Sequence, residues 1–240
     1  MSEGLLTSFQ QGVYEQSSTK KHRFGTLRIN ADGTKYRYAK AGEALTAGNA
    51  AQGAASVAGQ DAELVAAAGA AAVGATEITF TSAATAITAN QYDDGMLIVY
   101  DGAAGTVGHK YRISGHTTRA DAGVITVKLR DPIRVALIST DTWSLVPNPW
   151  NGTLENGAVA GFFAGVSPIA VTSGYYYWAQ TGGECVFLDQ GGNAIGGCLE
   201  LSATSGSFKV AADFLGGVCG QVYGIASVTT KYGSGFLTHD

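Results

Sequence analysis

Charge is the scarcest commodity in this chain. Lys, Arg, Asp and Glu together make up 14% of 240 residues, against about 25% in ordinary soluble domains. Cysteine is nearly as sparse. Cys185, Cys198 and Cys219 are odd in number and none has a partner at metal-ligand spacing, which argues against a disulfide framework or a zinc site. Each reads as a small buried hydrophobe. Proline occurs four times, and two of the four, Pro147 and Pro149, stand together. No apolar run reaches the roughly 18 residues a membrane span needs. Basic-then-apolar leader patterning is also missing, so no membrane partner and production in a cytosol-like environment are expected.

Recognisable reaction chemistry is equally thin. His22, His109, His116 and His239 have no ligand spacing. Asp93-Asp94-Gly95 lacks the spaced oxygens of a calcium loop and reads as a turn. The Gly-rich stretch 101–108 does not end in Gly-Lys-Ser/Thr, so it is no phosphate cradle. The carboxylates are scattered rather than paired, which ranks a polysaccharide-cleaving enzyme last. The expectation is a chain without enzymatic activity, cofactor or metal.

What is present is glycine, 34 residues, within a chain that is 45% hydrophobic. Such a surface suits a subunit that hides much of itself in an assembly. Charge is also unevenly spread. Residues 1–40 carry Lys20, Lys21, Arg23, Arg28, Lys35, Arg37 and Lys40 against three acids, a balance of +4, while the remaining 200 residues sum to −8. A basic arm on an acidic body favours an acidic protein surface. Without a dense basic cluster and interleaved aromatics, nucleic acid is not the expected partner.

Along the chain the grammar is almost wholly β. Residues 1–46 read as an extended arm with a hairpin, in which Gly25–Ile29 and Thr34–Tyr38 flank the turn Asn30-Ala31-Asp32-Gly33. Residues 47–75 are an Ala/Gly-rich linker, with a short helix expected near 61–68. Residues 76–150 form a first β domain of short strands: 77–80, 85–88, 95–100, 109–113, 124–129, 134–137 and 142–146. Residues 151–240 form a second. Strands this short point to sandwich or barrel-like domains of antiparallel strands, the all-β class.

The last domain is organised around Tyr175-Tyr176-Tyr177-Trp178. Four consecutive aromatics pack poorly on a helix and well on a pleated strand. Gly182-Gly183 signals a hairpin turn, with 184–188 returning antiparallel as a meander. A strand with aromatics on both faces must be covered twice, and the second cover is expected from another subunit.

The order of these pieces resembles capsid cement (decoration) and related virion structural proteins of tailed bacteriophages. The resemblance rests on Tyr36-Arg37-Tyr38-Ala39-Lys40-Ala41-Gly42, Ala44-Leu45-Thr46-Ala47-Gly48, Val127-Lys128-Leu129-Arg130-Asp131-Pro132, Pro147-Asn148-Pro149-Trp150 and Gly174-Tyr175-Tyr176-Tyr177-Trp178-Ala179-Gln180-Thr181-Gly182-Gly183. It covers most of residues 24–225. It implies a β-rich protein, often a homotrimer, bound to the major capsid protein on the outside of the shell. Lys20, Lys21, Arg23, Arg28 and Arg37 are the expected capsid contacts. Tyr175, Tyr176, Tyr177 and Trp178 are the expected subunit-packing residues. The alternative is a tail-fibre or receptor-binding virion component, holding a sugar on Tyr176 or Trp178.

Overall fold

The computed structural model describes residues 9–60, 64–65, 71–82, 85–102, 105, 107–120, 123–138, 141–157, 161–211, 217–224 and 231–240. All regular structure among them is β. The strands are β1 (Leu27–Ile29), β2 (Lys35–Ala41), β3 (Ala50–Gln52), β4 (Leu64–Val65), β5 (Glu77–Ser82), β6 (Met96–Asp101), β7 (Lys110–His116) and β8 (Gly123–Leu129). After them come β9 (Thr142–Val146), β10 (Asn151–Glu155), β11 (Phe163–Val166), β12 (Tyr176–Asp189), β13 (Cys198–Leu201), β14 (Ser207–Val210), β15 (Gly220–Val222) and β16 (Tyr232–Thr238).

The chain divides into two compact units that do not follow the expected boundaries. One comprises residues 1–53 and 152–240, the other residues 54–151. The division follows from pairing. β3 and β10 lie antiparallel, with Gln52 opposite Leu154. The second unit is therefore an insertion between two neighbouring strands of the first.

In the first unit, β12 is the shared element. Its pairings close two rings of five strands, β2-β10-β3-β11-β12 and β12-β14-β13-β15-β16. Its first half pairs with β2, setting Trp178 opposite Tyr38, and its second half pairs with β16, setting Val186 opposite Ser234. Closure removes the free edges that short strands otherwise expose. The ring interiors follow from the period of two. The Tyr177 hydroxyl lies 2.9 Å from Thr153 Oγ1 on β10, two strands away, so Tyr177 points into the first ring. Cys185, Phe187, Leu199, Phe208, Val222 and Leu237 fill the second.

Gly182-Gly183 does not turn the chain. At Gly182 β12 changes neighbours, lying opposite both Lys35 and Thr238. A Cβ on Gly183, where φ is +84°, would come within 3.1 Å of Thr34 Cα. The glycines are used for close approach and a bulge, not for a hairpin. The same residue type signals both outcomes, and only the partners distinguish them.

The second unit is a six-stranded sheet in the order β4-β9-β6-β7-β8-β5, whose end strands β4 and β5 approach each other. Trp143, Tyr92, Tyr111, Leu97 and Ile113 anchor its core. Asp93-Asp94-Gly95 forms a turn with Asp94 at φ +58°. The Asp94 carboxylate pairs with Arg130, while Arg112 and the Asn148 amide donate to its backbone carbonyl at 3.1 and 3.0 Å.

Several local expectations change. The linker is structural: its Ala50 and Ala51 are buried in β3, and Gln60, fully buried, accepts from the Tyr92 hydroxyl and donates to Thr85 and Ala86. Small residues that look like spacer are the ones a narrow ring can enclose. Leu64–Val65 is strand rather than helix, paired with Thr142–Trp143. The rest of that expected helix lies outside the described residues. At 85–88 and 134–137 only single bridges form, Ile87 to Arg119 and Leu137 to Ala71.

Candidate functional site

The expected capsid contacts and subunit contacts meet in one place, around Trp178. Alternation along β12 turns Tyr177 inward, so Trp178 faces outward from the first ring. It is nevertheless fully buried, because residues 9–24 fold over it. Phe9, His22 and Tyr38 present their rings 5.2, 5.3 and 5.1 Å from the Trp178 ring. Its indole N–H donates to Gln11 O at 3.0 Å. Ser17 and Tyr176 exchange backbone hydrogen bonds of 3.0 and 2.8 Å.

The arm is thus docked along its described length. It supplies the cover that was expected from another subunit. Apolar Val13 and Phe9 reach the site from a stretch that is polar on average, which is why composition alone hid the docking.

This docking splits the basic set. Arg28 is half-buried, its guanidinium 5.0 Å over Phe9 and 5.7 Å over Trp178, and it donates to Gln11 O at 2.9 Å. Arg37 bonds Asp240 with two nitrogens, at 2.9 and 2.8 Å, and Gly25 O at 2.8 Å. Both have internal work. Lys20, Lys21 and Arg23 stay exposed within four residues of one another. Lys20 holds its ammonium 4.0 Å over the ring of Phe24, itself buried, and the three exposed basic residues form an outward basic patch.

The aromatic set splits as well. Tyr177 and Trp178 are buried by their own chain, and Tyr175 and Tyr176 are half-buried. Tyr176 stacks with Tyr38 at 6.0 Å between centroids. Neither Trp178 nor the stacked Tyr176 presents a free ring face of the kind a sugar needs.

Electrostatics follow burial. The arginine beside Asp240, joined by the Thr181 hydroxyl at 2.6 Å, holds that carboxyl down at about 2. Burial, with Arg28 nearby, lowers the pKa of His22. Burial pushes the thiols of Cys185 and Cys219 up to about 12. His116 accepts from Tyr92 N–H on Nε2 at 3.1 Å, so Nδ1 carries the proton it donates to Thr117 O at 2.9 Å. Among the described residues, no group of three His, Cys, Asp or Glu side chains is placed to hold a metal ion.

A second site was not singled out from the sequence. An open cleft of about 570 Å3 runs across β12 where it passes between the two rings. Tyr14, Tyr223 and Tyr232 line it at 70%, 58% and 46% exposure. The tyrosines are spread over 218 residues of sequence, so no local motif announces them. Comparison with family models, curated proteins and solved structures gives no match.

Proposed function

We propose that this chain is a structural protein of a tailed-phage virion, a cement protein that binds the outside of the major capsid shell and stabilises it. The observation that carries the proposal is the exposed trio Lys20, Lys21 and Arg23, held on a docked segment of an otherwise acidic chain. A rigidly mounted basic patch loses little entropy on meeting an acidic surface. Stabilisation then follows by mass action, since a ligand of the assembled shell lowers the free energy of that state alone.

The homotrimer belongs to the same proposal. Leu27 and Ile29, 38% and 58% exposed on the edge strand β1, offer an apolar face beside the patch. Ile29→Lys is expected to shift the light-scattering mass from trimer to monomer.

The test of shell contact is the triple variant Lys20→Gln, Lys21→Gln, Arg23→Gln. It should decorate shells more weakly and with a shallower salt dependence. Unchanged occupancy at every salt concentration would sink the assignment of these residues.

A further inference from the structure

We propose that the tyrosine cleft on β12 binds an uncharged carbohydrate chain. Three chemical features converge there. First, the rings of Tyr14, Tyr223 and Tyr232 are far more exposed than aromatics that only complete a core. Flat apolar ring faces beside hydroxyl groups match the C–H faces and hydroxyls of a pyranose. Second, Asp32 and Glu184 stand at the cleft with the Ser234 hydroxyl, acceptors for sugar hydroxyl protons. Hydrogen bonds from Thr34 lower the pKa of Asp32, keeping it an acceptor well below neutral pH. Third, no Lys or Arg among the described residues lines the cleft. That disfavours phosphate, nucleic acid and acidic sugars, which need positive charge.

The cleft is also preorganised. The Cδ1–Cε1 edge of Tyr232 packs against Gly48, where a Cβ would come within 2.6 Å of the ring. Tyr223 donates its backbone N–H to Ser234 O at 2.9 Å. Tyr36 is buried beneath, near both Tyr14 and Asp32. The Tyr232 ring, already held against Gly48, loses little freedom on binding. The volume falls in the range of ordinary ligand sites, about 300–1,000 Å3.

This site is independent of shell contact, since Lys20, Lys21 and Arg23 do not line it. The sequence's tail-fibre alternative placed a sugar on Tyr176 or Trp178. The N-terminal segment covers Trp178 and Tyr176 is stacked on Tyr38, whereas the cleft tyrosines stand exposed.

The experiment uses the full chain without shells. Maltohexaose, cellohexaose and chitohexaose are titrated by calorimetry and saturation-transfer NMR, with a heparin hexasaccharide as acidic control and a proline-rich decapeptide as peptide control. At least one neutral hexasaccharide should bind saturably and the heparin fragment should not. Tyr223→Ala and Tyr232→Ala should each weaken binding about tenfold, as truncating an aromatic anchor does. Tyr100→Ala, an exposed tyrosine of the other unit, should leave it unchanged. Tyr223 is exposed, so its variant keeps the test valid if Tyr232→Ala does not fold. Absence of binding by all three neutral chains, binding that survives both cleft variants, or selective binding of the peptide would overturn the proposal.

Discussion

The indole N–H of Trp178 donates to the carbonyl of Gln11 at 3.0 Å across 167 positions of sequence. This bond and the rings around it fix the N-terminal segment to the first ring of strands. Trp178→Ala removes a fully buried aromatic and should cost about 3–5 kcal/mol. Trp178→Phe keeps much of the packing and should cost about 1 kcal/mol for the lost hydrogen bond. Chemical denaturation checks both. Limited proteolysis should cut within residues 9–24 of the alanine variant while sparing the parent.

His22 makes that docking sensitive to pH. Its folded pKa is lowered from 6.5, so the unfolded or undocked chain binds the proton more readily. The docked state is favoured fully above 6.5 and loses ground as pH falls through that value toward the lowered folded one. Trp178 fluorescence should therefore change on acidification below about 6.5. In His22→Phe that transition should disappear.

Asp240 has the same sign at lower pH. Its carboxyl titrates at about 2 when folded and at 3.8 when free, so the clasp with Arg37 contributes fully above 3.8 and is lost as pH falls through about 2. The pair is partly solvated, and about 1 kcal/mol is the scale expected. Asp240→Asn should lower the thermal midpoint at pH 6 and narrow its gap from the parent at pH 2. An equal gap at both would remove the ion pair from the account.

Asp94 combines a left-handed backbone with a nearly buried ion pair to Arg130. Asp94→Asn tolerates the conformation but loses the charge, at about 1.5–3 kcal/mol. Asp94→Ala adds backbone strain of roughly 1 kcal/mol. The alanine variant should therefore unfold at lower denaturant than the asparagine variant. The reverse order would contradict the role of the positive φ.

The thiols offer a check on the second ring. Cys185 and Cys219 are buried with pKa values pushed up to about 12, whereas Cys198 is half-buried. One thiol per chain should react with a small disulfide reagent in the native protein, and three after unfolding.

The all-β class and many strands were legible because alternation is local. Lys35, Tyr36, Arg37 and Tyr38 alternate in sequence, and the structure buries both tyrosines. The turn Asn30-Ala31-Asp32-Gly33 was legible for the same reason, its Gly33 at φ +84°. Ring closure was not, because β2, β12 and β16 come together from positions between Lys35 and Thr238 and nothing local records a partner. Gly182-Gly183 carried a true signal of unusual backbone but not its use. The cleft was invisible because Tyr14, Tyr223 and Tyr232 become neighbours only after the two rings form.

The most direct test of shell binding is to mix the purified chain with undecorated capsid shells, sediment them, and record the shells' melting temperature. The account predicts saturable co-sedimentation and a higher shell melting temperature, both reduced by neutralising Lys20, Lys21 and Arg23. A chain that remains in the supernatant and leaves the melting temperature unchanged would contradict it.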